Sequence, residues 1–412
     1  MEKFALIGKT LKHSYSKIIH AELASYQYDL VELTPEALKD FVLSKEYAGY
    51  NVTIPYKKDV IAFLDVVDER AKRIGAVNTA VCRDNKLYGY NTDFDGMVYA
   101  LNSAKIDIAQ KNVLILGSGG TSNTAKVVCE CLGAKAIKIL SRSGEINYDN
   151  YADIASDAQI VINTTPVGMY PDNYSCKVDL NVFAHLEGVL DVVYNPSTTM
   201  LLKQAKDLGV KHVNGLPMLV AQAKFASEKF MDKKLDDGVI EKVINKLKKE
   251  SQNLVLVGMP GSGKSTIGKR VAKLLEKEFI DTDALIEQKE GKPIPQIFAE
   301  FGEDYFRKVE SEVLSEVGKL SNKVISTGGG VIKNKDNYFP LKQNGVIVWI
   351  DRELDLLASK GRPLSKDKET IKKLFDERKE SYEFFADKKI KNDGELSEIA
   401  QGVKEIYENF SY

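Results

Sequence analysis

Apolar residues along this chain fall into short runs and helical spacings that alternate, and the alternation recurs three times. The first stretch opens on FALIG, a short strand. KTLKHSYSKIIHAELASY follows, with Ile18, Ile19, Leu23 and Ala24 at helical spacing and Ser16 as the expected cap. YDLVEL predicts a second strand, PEALKDFVL a helix with Pro35 near its first turn, and YAGYNVTI a third strand. KKDVIAFLDVVDERAKRIG predicts one helix with an apolar stripe. NTAVCRDNKLYGYNTD predicts a hairpin turning at Asp84-Asn85, and DGMVYALNSA a further helix.

The second stretch reads NVLIL, AIKIL, QIVINTT, GVLDVVYN and KHVN as strands. Helices are expected at TAKVVCECLG, TMLLKQAKDLG and from GLPMLVAQAKFASEKFM onward, with a short one near YADIASDA. DDGVIEKVINKLKKE is a helix, and SQN leads straight into the third stretch with no long tether. There LVLVG, NKVIS and GVIVWI are strands, with a short one at KKIK. Helices are expected at IGKRVAKLLEKEF, ALIEQKEG, IPQIFAEFGEDYFRKVESEVLSEV, LFDERKESYEFFA and ELSEIAQGVKEIYENF. Such alternation predicts α/β layers throughout, with parallel sheets in the later units.

Length adds that one core is too few: 412 residues predict two or three domains. A net charge of −1 gives no bulk attraction to nucleic acid or to an anionic membrane. No apolar run approaches the ~20 residues needed to span a bilayer. MEKFALIGKT reads as a charged start running into a strand rather than a signal peptide, so a cytoplasmic setting is expected. Cys82, Cys129, Cys131 and Cys176 make no disulfide framework and are expected to be buried thiols. His13, His20, His185 and His212 form no cluster, so no zinc site is expected.

Two glycine-rich turns carry the chemistry. In LVLVGMPGSGKST a strand runs through Gly258, Pro260, Gly261, Ser262 and Gly263 into Lys264, Ser265 and Thr266 and then a helix. That is a complete phosphate loop in its required setting. Its amides suit the phosphates of ATP, Lys264 the β/γ end, and Ser265 a Mg2+ ion. Asp283 is the candidate to position an acceptor hydroxyl, and Arg362, in a charged Gly/Pro stretch, to meet the transferring charge. Arg307 and Arg378 are candidates for an acidic acceptor, although each alone also fits a solvated face. Gly328, Gly329 and Gly330 after a strand require the backbone to pass close to something.

The other turn follows NVLIL as Gly117, Ser118, Gly119, Gly120, Thr121 and Ser122, a loose version of the dinucleotide-binding pattern with Ser122 at its third glycine. At the end of the next strand stand Ser141, Arg142 and Ser143. A guanidinium between hydroxyls favours a 2′-phosphate, hence NADP(H). In the first stretch Ser14, Ser16, Thr53, Lys57, Asn78, Asn91 and Asp93 sit at element ends, where capping, turning or solvation would also explain each. Gln222 reads equally as a core amide bonded to backbone.

Taken together, HSYS at 13–16, NVTIPYK at 51–57, GAVNT at 75–79, NTDFDG at 91–96, GSGGTS at 117–122, INTTPVGM at 162–169, DVVYNPSTT at 191–199 and LVAQA at 219–223 resemble shikimate dehydrogenase, in order and spacing, over about 1–250. The resemblance implies a substrate-binding domain at 1–100, a Rossmann NADP-binding domain at 101–218, and helices at about 219–250 packing back on the first. It implies reduction of 3-dehydroshikimate with NADPH, with Lys57 as acid and Asp93 as its orienter in a tight polar turn. Ser14, Ser16 and Tyr194 would hold the substrate carboxylate; Thr53, Asn78 and Gln222 would hold its hydroxyls. Gly117 to Thr121, Ser141 to Ser143, Thr164 and Gly215 form the expected cofactor set. The family's usual arginine in the cofactor helix is Asn123 here.

GMPGSGKSTIGKRVA, FIDTD, FRKVE, TGGG, KGRPL and the E-R-x-x-x-Y stretch at 377–382 resemble shikimate kinase over about 254–410. This implies a P-loop domain at 251–412 with shikimate on Asp283, Arg307, Arg378 and Gly328–Gly330, nucleotide on Gly258 to Thr266 and the lid Arg362, and Mg2+ on Ser265 and, through water, Asp281. The family's adenine-stacking arginine has no clear counterpart in LLASKGRPL. The two resemblances are consecutive reactions, so a bifunctional enzyme with two separate sites, without direct channelling, is expected. Its partners are small molecules; monomer and dimer both remain open. The alternatives are a broader quinate/shikimate dehydrogenase, a small-metabolite P-loop kinase with a different acceptor, and one half retained as an inactive binding or regulatory module.

Overall fold

Three sheets answer the three stretches. The computed structural model describes residues 2–11, 14–357 and 368–410, and its contacts divide the chain into two compact units, Met1–Lys246 and Leu247–Tyr412. The first unit begins with β1 (Lys3–Gly8), α1 (Ser16–Leu23), β2 (Gln27–Glu32), α2 (Ala37–Ser44), β3 (Gly49–Val52), β4 (Val66–Val67), α3 (Glu69–Ile74), β5 (Thr79–Arg83), β6 (Lys86–Tyr90) and α4 (Thr92–Ser103). Its six strands lie in the order β2-β1-β3-β5-β6-β4. The hairpin turns where expected, with Asp84 and Asn85 both left-handed at φ 48 and 61.

One expectation fails here. The stretch read as a single helix at 57–75 divides into a 3-10 turn at Asp59–Phe63, the strand β4, and α3 capped by Asp68, whose side chain accepts from Arg70 N. Val66 and Val67 pair with Tyr88 and Gly89 of β6. Two β-branched residues beside an open strand edge gain more from the ladder than from continuing a helix.

The second sheet is wholly parallel. β7 (Asn112–Leu116), α5 (Gly120–Cys131), β8 (Ala136–Leu140), α6 (Tyr151–Ile154), β9 (Ile160–Asn163), β10 (Gly188–Asp191), α7 (Met200–Asp207) and β11 (Lys211–Val213) give the order β11-β10-β9-β7-β8. The chain reverses direction at β7, flanked by β8 and β9, which is where open α/β sheets receive ligands. α8 (Leu216–Met231) then packs along α4, and α9 (Gly238–Ser251) follows.

In the other unit come β12 (Asn253–Val257), α10 (Lys264–Leu275), β13 (Glu278–Asp281), α11 (Thr282–Glu290), α12 (Ile294–Val317), β14 (Lys323–Ser326), α13 (Tyr338–Lys342), β15 (Gly345–Asp351), α14 (Lys368–Phe385), β16 (Lys388–Lys391) and α15 (Leu396–Glu408). The sheet is parallel in the order β13-β14-β12-β15-β16, with its reversal at β12. α12 is broken at Gly302 (φ 83, ψ 176), so the helix expected from 294 to 317 kinks before Arg307. Of the cysteines, Cys129 is buried as expected. Cys131, two positions on and hence off that helix face, is exposed, and Cys82 and Cys176 are half-buried.

Candidate active sites

α4 starts where it does because Asn91 caps it, its Oδ1 accepting from Phe94 N and its Nδ2 donating to Ala76 O. Asp93 therefore lies in the first helical turn rather than in the tight polar turn expected, and the helix dipole favours its carboxylate there. Lys57, just beyond β3, places Nζ 2.7 Å from Asp93 Oδ2; both side chains stay partly open to solvent. Asn78 presents Oδ1 to Thr92 N at 2.7 Å, which fixes its orientation; its Nδ2 has no partner among the described residues. Thr53 is half-buried at the end of β3, its N–H donating to Ile7 O.

Beneath these lies a floor that the sequence did not single out. Asn51 accepts from the Tyr28 hydroxyl at 2.7 Å and donates to Asn78 O and Thr79 Oγ1. His20 stacks on Tyr28, centroids 3.9 Å apart, and meets the Tyr26 hydroxyl at 2.6 Å through Nδ1. Complete burial lowers the His20 pKa to about 3, so the ring is neutral and serves the floor, not proton transfer.

Ser16 opens α1 without capping it. Instead Ser14 Oγ accepts from Ser16 N at 3.2 Å. Tyr15, between them, meets the edge of the Tyr194 ring at 5.9 Å, so the serine turn and Tyr194 lie together, and burial pushes the Tyr194 hydroxyl pKa up. Gln222 comes in from α8, which approaches α4 closely at Gly96: a Cβ there would fall 2.6 Å from Met218 O and 2.9 Å from Gln222 Cβ. Its Nε2 donates to Leu219 O, the backbone bond expected of a core amide, while the residue is only half-buried and lies against Gly96, itself one turn along α4 from Asp93.

The cofactor turn passes through Gly117 at φ +109, its N–H bonded to Leu140 O. Thr164 Oγ1 donates to Leu116 O and closes the neighbouring strand end. A Cβ on Gly119 or Gly120 would meet nothing within 4 Å, so the N-terminus of α5 opens onto free space, the cradle a pyrophosphate requires. Ser118 is exposed and Thr121 half-buried beside it; Ser122 is buried, the small residue that close packing demands. Ser141 is half-buried, and Arg142 and Ser143 are exposed at the end of β8. Gly215 is needed for backbone approach: a Cβ would stand 1.9 Å from Val192 O. Asn123 donates to Ile74 O at 3.4 Å and so ties α5 to α3. The residues fit an NADP-type dinucleotide.

The phosphate loop packs against its own sheet. A Cβ on Gly258 would fall 2.4 Å from Ile350 O, and Gly261 and Gly263 hold φ of +87 and +93. Lys264 Nζ donates to Gly258 O and Met259 O, and the buried Ser262 Oγ has no partner among the described residues. Ordered amides, a parked ammonium and an orphan hydroxyl fit a nucleotide polyphosphate. Ser265 Oγ donates to Asp281 Oδ2 at 2.6 Å, and Ser326 Oγ lies 3.2 Å away, hard oxygen ligands of the type Mg2+ takes. Asp281 also caps α11 by accepting from Asp283 N.

Around Gly328–Gly330 the expected residues converge. A Cβ on Gly328 would meet Asp283 Oδ1 at 2.6 Å, one on Gly329 Pro260 at 2.6 Å, and one on Gly330 the Arg307 guanidinium at 2.4 Å. None of the three needs positive φ; they are glycine because side chains press on them. Arg378 donates to Gly329 O at 3.0 Å, joined there by the Tyr382 hydroxyl at 2.6 Å. Arg307 is held by Glu310 Oε2 at 2.7 Å and by Glu303. Burial pushes the Glu310 carboxyl pKa up, and its Oε1, beside Gly328, has no partner among the described residues. Glu310 and Tyr382 were missed as site residues, though i+3 and i+4 spacing from the two arginines would have found them. Arg362 lies outside the described residues.

Known proteins resemble both parts of the chain. A family model described as shikimate dehydrogenase substrate binding domain matches residues 6–80, and one described as shikimate kinase matches residues 260–408. A shikimate dehydrogenase (NADP(+)) of Clostridium perfringens is 38% identical over 268 residues, covering 60% of this chain and 99% of that protein. Among solved structures, a chorismate mutase/shikimate 5-dehydrogenase fusion from Clostridium acetobutylicum aligns at 35% identity and TM-score 0.57, over 60% of this chain and 97% of that one. The Thermus thermophilus shikimate 5-dehydrogenase in complex with NADP(H) and shikimate aligns at 27% and 0.55, over 60% and 99%. The chain belongs to the shikimate dehydrogenase family over its first three-fifths and carries a shikimate kinase domain in the remainder.

Proposed function

We propose that this bifunctional enzyme works in the biosynthetic direction, reducing 3-dehydroshikimate to shikimate with NADPH and phosphorylating shikimate at its 3-hydroxyl with ATP and Mg2+. The observation that carries the reading is the Lys57–Asp93 pair at 2.7 Å, open to solvent beside Asn78. NADPH bound at the Gly117–Gly120 turn supplies the hydride. Charge then gathers on the carbonyl oxygen, where the Lys57 ammonium stabilises it and gives up a proton. Asp93 keeps the ammonium charged and aimed, and its other oxygen can accept the neighbouring ring hydroxyl. Ser14, Ser16 and Tyr194 offer hydroxyl donors to the carboxylate, and Thr53, Asn78 and Gln222 bind the ring hydroxyls. Arg142, with Ser141 and Ser143, selects the 2′-phosphate.

In the kinase domain, ATP supplies the phosphoryl group. Asp283 holds the acceptor hydroxyl against the Gly328–Gly330 turn, and Arg307 and Arg378 bind the acid. Glu310 keeps Arg307 from swinging away. Lys264 would exchange the loop carbonyls for phosphate oxygens, Ser265 and Asp281 would hold magnesium, Asp281 through water, and Arg362 is assigned to the transferring charge. The domain roles follow: substrate binding over 1–100 with the helices from 219, NADP binding over 101–218, and phosphoryl transfer over 251–412, in a cytoplasmic enzyme. One reaction mixture tests this. Purified protein receives 3-dehydroshikimate, NADPH, ATP and Mg2+, and shikimate and its 3-phosphate are followed by mass. Absence of either product sinks the corresponding half.

A further inference from the structure

Arg352 is a cation that the kinase reading does not use. It stands immediately beyond β15, on the carboxyl edge of the sheet beside the strand-order reversal at β12. Its Nε is cut off from water, and among the described residues the side chain has neither a hydrogen-bond nor an ion-pair partner. The obvious local acid, Asp351, is taken by Lys389 at 2.8 Å, and the Asp351 carbonyl accepts from Asn392 N. Leaving a guanidinium nitrogen buried and unbonded is unfavourable, so the arrangement is explained if an anion completes it.

The position of the guanidinium says which anion. Arg352 Nη1 lies 4.0 Å from the point where a Cβ on Gly263 would stand. Asn392, from the next strand, donates Nδ2 to Ser262 O at 2.8 Å and lies 2.8 Å from the same point. Gly263 is the residue that hands the loop to the twelve-residue α10. Unbonded guanidinium, loop amides and helix N-terminus thus converge from β15, β16 and α10 on the far side of the loop from Asp283 and Arg307. We infer that Arg352 is a nucleotide-binding residue that grips the phosphate chain at the Gly263 side of the loop, with Asn392 bracing the loop against it. This rests on the kinase reading and extends it, since the sequence offered no arginine for the nucleotide beyond Arg362.

Calorimetric titration of the full chain with ADP, and separately with inorganic tripolyphosphate, tests it in wild type, Arg352→Ala and Arg352→Lys. Arg352→Ala is expected to weaken both ligands about tenfold or more, as loss of a charge-assisted bond does, and Arg352→Lys to recover part of it. The shikimate KM of the kinase should stay within about twofold, showing that the domain is folded. ADP affinity unchanged in Arg352→Ala overturns the inference. So does weakened ADP with unchanged tripolyphosphate, because the contact is then with the base or sugar. A wild-type chain that binds ADP but leaves shikimate unphosphorylated removes the kinase reading, while loss of tripolyphosphate binding in Arg352→Ala still sustains the inference. Unchanged binding in a chain that does phosphorylate shikimate removes the inference alone.

Discussion

Asp191 gives the structure a measurable pH dependence. It is fully buried at the end of β10, where Oδ1 accepts from Asn163 Nδ2 and Val193 N, and Oδ2 accepts from the Thr199 hydroxyl at 2.6 Å. Burial outweighs those three bonds and raises its pKa from 3.8 to about 6. The folded chain therefore holds a proton between about pH 3.8 and 6 that the unfolded chain has released. Stability contributed by this group is full below the unfolded value and falls as pH rises through the folded one. A shift of about 2 units corresponds to about 3 kcal/mol, of which roughly 1.4 kcal/mol is lost between about pH 5 and pH 8. Asp191→Asn keeps the acceptor for Asn163 and Val193 and has no charge to bury. Its amide can donate to Thr199 Oγ1, at a cost of about 1 kcal/mol for the hydroxyl proton left unbonded. The variant should gain on wild type by roughly 1.4 kcal/mol as the pH is raised over that interval. Urea titration read by pulsed hydrogen exchange on peptides from β9 and β10 measures it locally, as a chain of two units requires. Parallel pH responses in the two proteins would refute the reasoning.

Other expectations are briefer. Lys57→Met should lower the dehydrogenase kcat about 10²–10⁴-fold, the range for losing a positioned acid, with ATP-dependent phosphorylation of added shikimate unchanged. Gly330→Ala drives a methyl to 2.4 Å from the Arg307 guanidinium and must displace it; the kinase KM for shikimate should rise about tenfold or more while ADP affinity holds, measured by steady-state kinetics and calorimetry. Arg142→Asp places a carboxylate where the 2′-phosphate is expected, so the ratio of kcat/KM for NADPH to that for NADH should fall at least about tenfold.

The sheets were legible because each strand is a short apolar run bounded by turn residues, and parallel strands buried on both faces, such as NVLIL and NLVLV, carry no other signal. What failed to read was set by tertiary context. Val66 and Val67 suit the apolar stripe of a helix as well as a strand, and only the open edge of β6 decides between them. Gly302 looks like a tolerated helical glycine until its backbone angles are seen. Ser16 has the chemistry of a cap, but it is the first helical residue; Tyr15 holds the cap position without a side-chain bond, and Ser14 Oγ accepts from Ser16 N. In each case the competing local structures differ by about 1 kcal/mol, less than one well-placed tertiary contact contributes.

The expected site residues come together even where the elements around them were misread, and for a reason. A phosphate loop or a Lys–Asp pair is fixed by the reacting atoms, so its residue types cannot drift far. The supporting groups have more freedom. Glu310 holds Arg307, and Asn51, Tyr28 and His20 hold Asn78, through bonds that other side chains could make from other positions. The three glycines show the limit of both kinds of reading. Their sequence announced a close approach, yet the approaching groups come from the phosphate loop, from α11 and from α12 beyond the Gly302 kink, a convergence that no spacing records. Pro260 against Gly329 and Arg307 against Gly330 link the phosphate loop to the arginine proposed to bind the acid through one stretch of backbone. A displacement of that turn therefore has to be felt at both ends. Gly329→Ala, which collides with the loop at 2.6 Å, should accordingly weaken ADP as well as shikimate, whereas the Gly330 change spares ADP.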